Sequence, residues 1–283
     1  MSGDAPYGKL VELEPGIARV LARNPTPFTF TGTQTFLVGE DELAVIDPGP
    51  DLPEHVAALI AAIGGRPVAA ILCTHTHRDH SPAARLLAAA TGAPVVGCAP
   101  LDGAAAGVEA GFDPDYRADR VLEDGEAIEV AGRRLVAVAT PGHTSNHLCF
   151  ADEVSGALFS GDHVMGWSTS VVVPPDGSMG AYMASLEKLR GRGDRILYPA
   201  HGEAVTNPKP FVRGLIGHRL QREKQILGLV GGTASTIWEI VAAAYPGLDE
   251  RLVPAAQGTV LAHLLDLGER GLVRQEEARW VRT

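Results

Sequence analysis

Residues 74 to 81 read Thr-His-Thr-His-Arg-Asp-His-Ser, and this run constrains the chain more than any other. It follows Val68 to Cys73, a short continuous apolar stretch of the kind that forms a strand buried on both faces. It precedes Pro82 to Ala90, an alanine- and leucine-rich helical stretch closed by Thr91-Gly92. His75 and His77 are two apart, so extended backbone points both to one side. A bend then brings Asp79 and His80 toward the same spot. Ser81 and Pro82 suit the cap and first position of the helix that follows. So many polar groups at the end of a buried strand need a common partner, and metal ions are the usual one. A solvated polar loop is the bland alternative.

Three later clusters weigh against that alternative. Gly142-His143-Thr144 follows a strand ending at Ala139, Gly161-Asp162-His163 follows one ending at Phe159, and His201-Gly202 follows one ending at Tyr198. Each presents a His or Asp beside a glycine that permits close backbone approach. Separate strand ends carrying such groups fit ligands that converge on one site.

The rest of the chain supplies the frame. Thr35 to Val38, Leu43 to Ile46, Val95-Val96, Ala127 to Val130, Leu135 to Ala139, Leu148 to Phe150, Ala157 to Ser160 and Arg195 to Tyr198 read as strands. Leu52 to Ile63 and Gly180 to Leu189 read as helices between them. Strand pairs alternating with helices in each half suggest two sheets face to face with helices outside, a four-layer α/β arrangement. The pattern changes near Pro208-Pro210. Phe211 to Leu229, Thr236 to Ala244 and Pro254 to Glu269 read as three helices, and Leu272 to Arg274 with Trp280 to Arg282 as a hairpin. That places a large domain at 1–210 and a small winged-helix-like domain at 211–283.

The ordered set H-x-H-x-D-H, G-H-T, G-D and G-H-G resembles the metallo-β-lactamase superfamily across roughly the first 210 residues. The resemblance implies the αββα sandwich of that family. It also implies a hydrolase whose attacking hydroxide is activated by a dinuclear zinc centre. His75, His77 and His143 would hold one metal, and Asp79, His80 and His201 the second. Asp162 would bridge both. Two Zn²⁺ per chain are expected, with iron or manganese as alternatives. Asp79 is the expected catalytic acceptor of a proton from the attacking water. Asp47 resembles the family's carboxylate behind a ligand histidine, and before Pro48-Gly49 it equally suits a simple turn. His147 reads as structural support, and His163 as either a turn residue or an outer partner of the site. His55, His218 and His263 read as ordinary helix residues. Trp167 and Tyr182 are candidates to line the cleft, beside a substrate-side loop over Ser168 to Met179.

His218-Arg219, Arg222-Glu223, Gln225 to Leu227 and Trp238 to Ile240, with the terminal helix and hairpin, are similar to the tail of the β-lactamase-like protein 2 group. That similarity implies cleavage of single-stranded RNA. Arg213, Arg219, Arg222 and Lys224 on one helix are then candidates to meet phosphates. The alternative is a thioester or lactone hydrolase of the glyoxalase II type. A β-lactamase, an iron-dependent persulfide dioxygenase and a winged-helix nucleic-acid-binding regulator rank lower. The net charge of -10 and the 5% aromatic content speak against a long nucleic-acid track or a stacking platform. Three cysteines do not suggest a disulfide framework, and Cys73 and Cys149 sit in strand-like runs. The first ten residues lack a signal-peptide core, and no run has the ~20 apolar residues that span a bilayer. A cytoplasmic protein without membrane contact is expected, with a homodimer through the tail as a further role for that domain.

Overall fold

The computed structural model describes residues 6–101, 111–130, 132–231 and 235–283, so the first five residues of the N-terminal segment lie outside the described ones. The chain divides into two compact units. The first comprises Met1–Thr140, Asn146–Ser168 and Gly193–Pro208, and the second Pro141–Ser145, Thr169–Arg192 and Lys209–Thr283.

The first unit holds two sheets. One contains β1 (Leu10–Glu14), β2 (Ile17–Leu21), β3 (Gln34–Val38), β4 (Leu43–Ile46), β5 (Val68–Cys73), β6 (Val95–Gly97) and β7 (Arg120–Val121), in that spatial order. Neighbours from β1 to β4 run antiparallel, and from β4 to β7 parallel. Parallel pairs need crossovers, and α1 (Pro53–Ile63) provides that from β4 to β5 and α2 (Ala83–Thr91) that from β5 to β6. Both helices end on a left-handed glycine, Gly64 and Gly92, as the sequence stops suggest. The second sheet has the order β12 (Ile196–Pro199), β11 (Ala157–Gly161), β10 (Leu148–Asp152), β9 (Arg133–Ala139), β8 (Ala127–Val130). The hairpin β1–β2 and the short β7 are strands that the sequence pattern did not mark.

Every residue of β3, β4, β10 and β11 is buried, which explains why their sequences are apolar runs without alternation. The two sheets share one core. Phe36 of β3 lies 5.1 Å from Phe159 of β11 and 5.8 Å from Tyr198 of β12, ring centre to ring centre. Such aromatic contacts add about 0.5–1.5 kcal/mol each beyond the area they bury. Cys73, Cys98 and Cys149 are all buried and unbridged.

The second unit carries α3 (Met179–Gly191), α4 (Pro208–Leu229), α5 (Ile237–Ala244), a 3₁₀ turn at Glu250–Leu252, α6 (Val253–Glu269) and the hairpin β13 (Val273–Glu276)–β14 (Arg279–Arg282). A capping box opens α5: Glu239 N–H donates to Thr236 Oγ1, and the Glu239 carboxylate accepts from Thr236 N–H. Ile226, Ile240, Val260, Leu264, Leu267 and Trp280 form the core between these helices and the hairpin. Three helices and a two-stranded hairpin are the winged-helix set. Among the described residues no helix is long and apolar enough to cross a membrane.

Candidate metal centre

His75, His77, Asp79 and His80 emerge where β5 ends. His75 Nε2 lies 2.9 Å from His77 Nδ1, so the two rings aim one nitrogen each at a common point. Ligand atoms of His75, His77 and Asp162 fall within 4.8 Å of one another, and so do those of Asp79, His80 and His201. Asp162 reaches both groups. Its Oδ2 lies 3.6 Å from His80 Nε2, and its Oδ1 lies 3.3 Å from His201 Nε2. Asp79 Oδ2 lies 3.4 Å from His80 Nε2 and 3.2 Å from His201 Nε2.

What stands behind the rings decides which nitrogen is offered. Asp47 sits directly after β4 with φ 48°, a left-handed conformation that a non-glycine residue adopts only at a cost. Its Oδ1 accepts the Thr74 amide at 2.8 Å, and its Oδ2 accepts the Thr74 hydroxyl at 2.8 Å. The same Oδ2 is 3.0 Å from His80 Nδ1, which must donate because an ionised carboxylate only accepts. Thr74 Oγ1, its own proton spent on Asp47, accepts from His75 Nδ1 at 3.0 Å. His201 Nδ1 donates to the Gly32 carbonyl at 3.1 Å. In three rings Nδ1 is thus taken by a hydrogen bond, which leaves Nε2 as the nitrogen turned into the site, as in ligand histidines. Asp47 therefore orients ligand candidates and is more than a turn residue.

Asp162 is held from its backbone. Its N–H donates to His147 Nε2 at 3.2 Å, and His147 Nδ1 in turn faces Thr140 Oγ1 at 2.8 Å. A side chain at Gly161 would place Cβ 2.6 Å from His147 Nε2 and 2.8 Å from Thr74 Oγ1. Only glycine fits there, which gives the glycine before Asp162 its physical reason.

The ionised carboxylates give the site a negative field that draws cations, protons and metal ions alike. Burial alone would raise Asp79 and Asp162, but the facing rings of His80 and His201 outweigh it and hold both carboxyls well below the usual range. Burial would lower His80 and His201, yet the surrounding carboxylates outweigh it, raising His80 strongly and His201 to about 10. Imidazole nitrogens and carboxylate oxygens gathered in a buried pocket of negative field are the donor set of a zinc-type ion.

His143 belongs to the second unit, on the short segment 141–145. Its Nδ1 donates to the Val171 carbonyl at 2.6 Å, so it too has Nε2 as its lone-pair nitrogen. His163 is buried behind the site, its ring centre 5.9 Å from that of His147. His55 is buried on α1 with Nε2 3.0 Å from Thr35 Oγ1.

Several expectations need correction. Ser81 does not cap α2: its hydroxyl donates to Asp113 Oδ2 at 2.9 Å, and Pro82 occupies the cap position. Tyr182 is 0% exposed and lines no cleft, whereas Trp167 is exposed at 37%. Arg219 is buried, and the Arg222 guanidinium is turned onto the Tyr245 ring at 4.1 Å with Nη1 donating to the Ala244 carbonyl. Two of the four basic residues expected to meet phosphates are thus engaged within the protein. Sequence reading did not single out Thr74, Gln34 or the carbonyls of Gly32 and Val171. Gln34 Nε2 donates to the carbonyls of Pro199 and Gly202, bracketing His201. Its inward side chain on an otherwise apolar strand was the available signal.

The metallo-beta-lactamase superfamily model matches residues 28–201. The chain belongs to the metallo-beta-lactamase superfamily. It is a hydrolase of that fold, and residues 236–280 match the beta-lactamase associated winged helix domain. An atrochrysone carboxyl ACP thioesterase of Aspergillus chevalieri is 32% identical over 87% of this chain and 78% of its own. A protein of the same name from Emericella nidulans is 30% identical over 94% and 82%. Among solved structures, a beta-lactamase domain protein from Burkholderia ambifaria superposes with TM-score 0.82 at 22% identity, over 98% of this chain and 94% of that one. A metallo-beta-lactamase family protein from Thermus thermophilus does so with TM-score 0.79 at 25% identity, over 96% and 100%. The four-layer αββα sandwich and the winged-helix tail expected from the sequence are therefore those of the family.

Proposed function

We propose that this hydrolase cleaves the thioester of an acyl group carried on a thiol such as that of an acyl carrier protein. The observation that carries the reading is the 30–32% identity, along 87–94% of the chain, to proteins named as thioesterases. The endoribonuclease reading gives way, since its basic helix has Arg219 buried and Arg222 turned onto Tyr245.

In this reading His75, His77 and His143 would hold one Zn²⁺, Asp79, His80 and His201 would hold a second, and Asp162 would serve both. A bound pair of cations would supply Lewis acidity to the acyl carbonyl and lower the pKa of a water. Asp79, kept ionised by its histidine neighbours and fixed by a hydrogen bond from Thr33 Oγ1 at 3.3 Å, takes the water proton at its carboxylate. The C–S bond breaks as the C–O bond forms, and the proton leaves on the thiol. The catalytic domain is taken as 1–210 and the winged helix as 211–283.

An exposed aromatic pair supports a flat, apolar acyl group. The rings of Phe30 and Trp167 stack at 4.9 Å and are 44% and 37% exposed. Each lies close in sequence to a residue that touches His201: the Gly32 carbonyl, two after Phe30, accepts its Nδ1–H, and the Gly166 N–H, just before Trp167, donates to its carbonyl at 3.0 Å.

The test is hydrolysis of an aromatic acyl-carrier-protein thioester in parallel with a labelled single-stranded RNA, each with and without chelator. Thioester turnover that chelator abolishes, with RNA intact, is expected. RNA cleavage with the thioester untouched would overturn the reading.

A further inference from the structure

Arg219 lies on α4 and is only 3% exposed. Its Nη2 donates to the Ser170 carbonyl, and its guanidinium carbon sits 5.1 Å from the centre of the Tyr182 ring. Among the described residues no carboxylate pairs with it, and its buried Nε has no hydrogen-bond partner. A buried cation without an anion is costly. Its retention points to what it holds.

What it holds is the support of His143. Ser170 precedes Val171, whose carbonyl accepts the His143 Nδ1–H. Tyr182 lies against Gly142: a Cβ there would come within 2.3 Å of the Tyr182 Cα, so the two backbones are in direct contact. The same segment ties the loop at further points. Ser178 N–H donates to the Gly142 carbonyl at 2.9 Å, Ser185 Oγ donates to the Pro141 carbonyl at 2.8 Å, and Ser145 N–H donates to Asp176 Oδ2 at 2.9 Å. The loop 141–145 thus rests on residues 171–185, and Arg219 grips that stretch both at its start and at the ring of Tyr182.

We infer that Arg219 is a positioning residue for His143, acting from the winged-helix side to fix the carbonyl and the backbone that aim the ring. The inference rests on the proposed role of His143 as a metal ligand. A planar guanidinium suits the task because it can donate to a carbonyl with its edge while lying over an aromatic face, which an ammonium does less well.

The test is metal binding by the full-length chain, read by competition of Zn²⁺ with a chromophoric chelator and by the absorption bands of the Co²⁺-loaded protein. Arg219→Met, which keeps the apolar stem, should weaken one of the two metals by about tenfold, the lower end of the effect seen for partners behind ligand histidines. Arg219→Lys, the milder change should the first variant not fold, should weaken it about threefold. The other metal should bind as in the wild type, and the Co²⁺ bands of the weakened site should shift. Wild-type affinity for both metals in both variants would overturn the inference, as would an equal loss at both metals with a lowered Tm. His143→Ala separates the two claims. If that variant still binds two metals with unchanged affinity, the ligand reading itself has failed.

Discussion

Asp47 Oδ2 lies 3.0 Å from His80 Nδ1, and that contact fixes which nitrogen of the ring is turned into the candidate metal centre. Asp47→Asn keeps an oxygen for the Thr74 amide but can present N–H to the ring, which pushes the His80 proton onto Nε2, into the site. Zn²⁺ affinity should fall about 10–100-fold while the far-ultraviolet circular dichroism and Tm stay near wild type. Unchanged affinity in a chelator competition would remove Asp47 from the site's support.

Gly142 has φ 141° and no room for a side chain against Tyr182. Gly142→Ala should displace the loop that carries His143. The expected result is a drop of at least about 100-fold in kcat/KM, since misplacing a catalytic group by about 1 Å costs that much. The first unit's core should stay intact by hydrogen exchange.

Trp167→Ala removes one ring of the exposed stack. Loss of such a contact is worth about 1 kcal/mol, so KM for a bulky aromatic acyl thioester should rise several-fold. An acetyl thioester, too short to reach the rings, should be hydrolysed as before. Equal effects on both substrates would mean that the pair does not read the acyl group.

His263 sits buried on α6, with neither ring nitrogen hydrogen-bonded among the described residues. Burial, together with the nearby cations Arg219, Arg222 and Arg270, pushes its pKa down from 6.5 to about 3. The folded chain therefore refuses a proton that the unfolded chain accepts below 6.5. Stability contributed by the neutral ring is present above that value and is lost as pH falls toward 3. His263→Leu should remove this liability and shift the acid-unfolding midpoint of the second unit to lower pH, as followed by Trp238 and Trp280 fluorescence. An unchanged midpoint would show that His263 does not limit acid stability.

Much of the candidate centre was legible because its residues are local. His75, His77, Asp79 and His80 lie within six residues at the end of one strand, where extended backbone aligns the first two and the bend that follows brings in the others. Asp162 and His201 each end a strand beside glycine, and Gly161 has a spacing reason that its neighbours make plain. The helices of the second unit were equally legible, since their apolar spacing and capping residues are local signals. The hairpin β1–β2 was missed because its strands, LVELE at the sheet edge and IARVL beside it, mix charged residues with half-buried positions.

Sequence by itself determined the residue types of the candidate site, their order and the strands they follow, because these depend on contacts a few residues apart. Only the tertiary structure decided which nitrogen each histidine offers, that Tyr182 and Arg219 turn inward, and that His143 leans on Val171. Those outcomes depend on partners 27 to 169 residues distant, from Asp47–Thr74 to Gly32–His201. A hydrogen bond across such a gap needs distant segments of the chain brought side by side, so no local pattern encodes it.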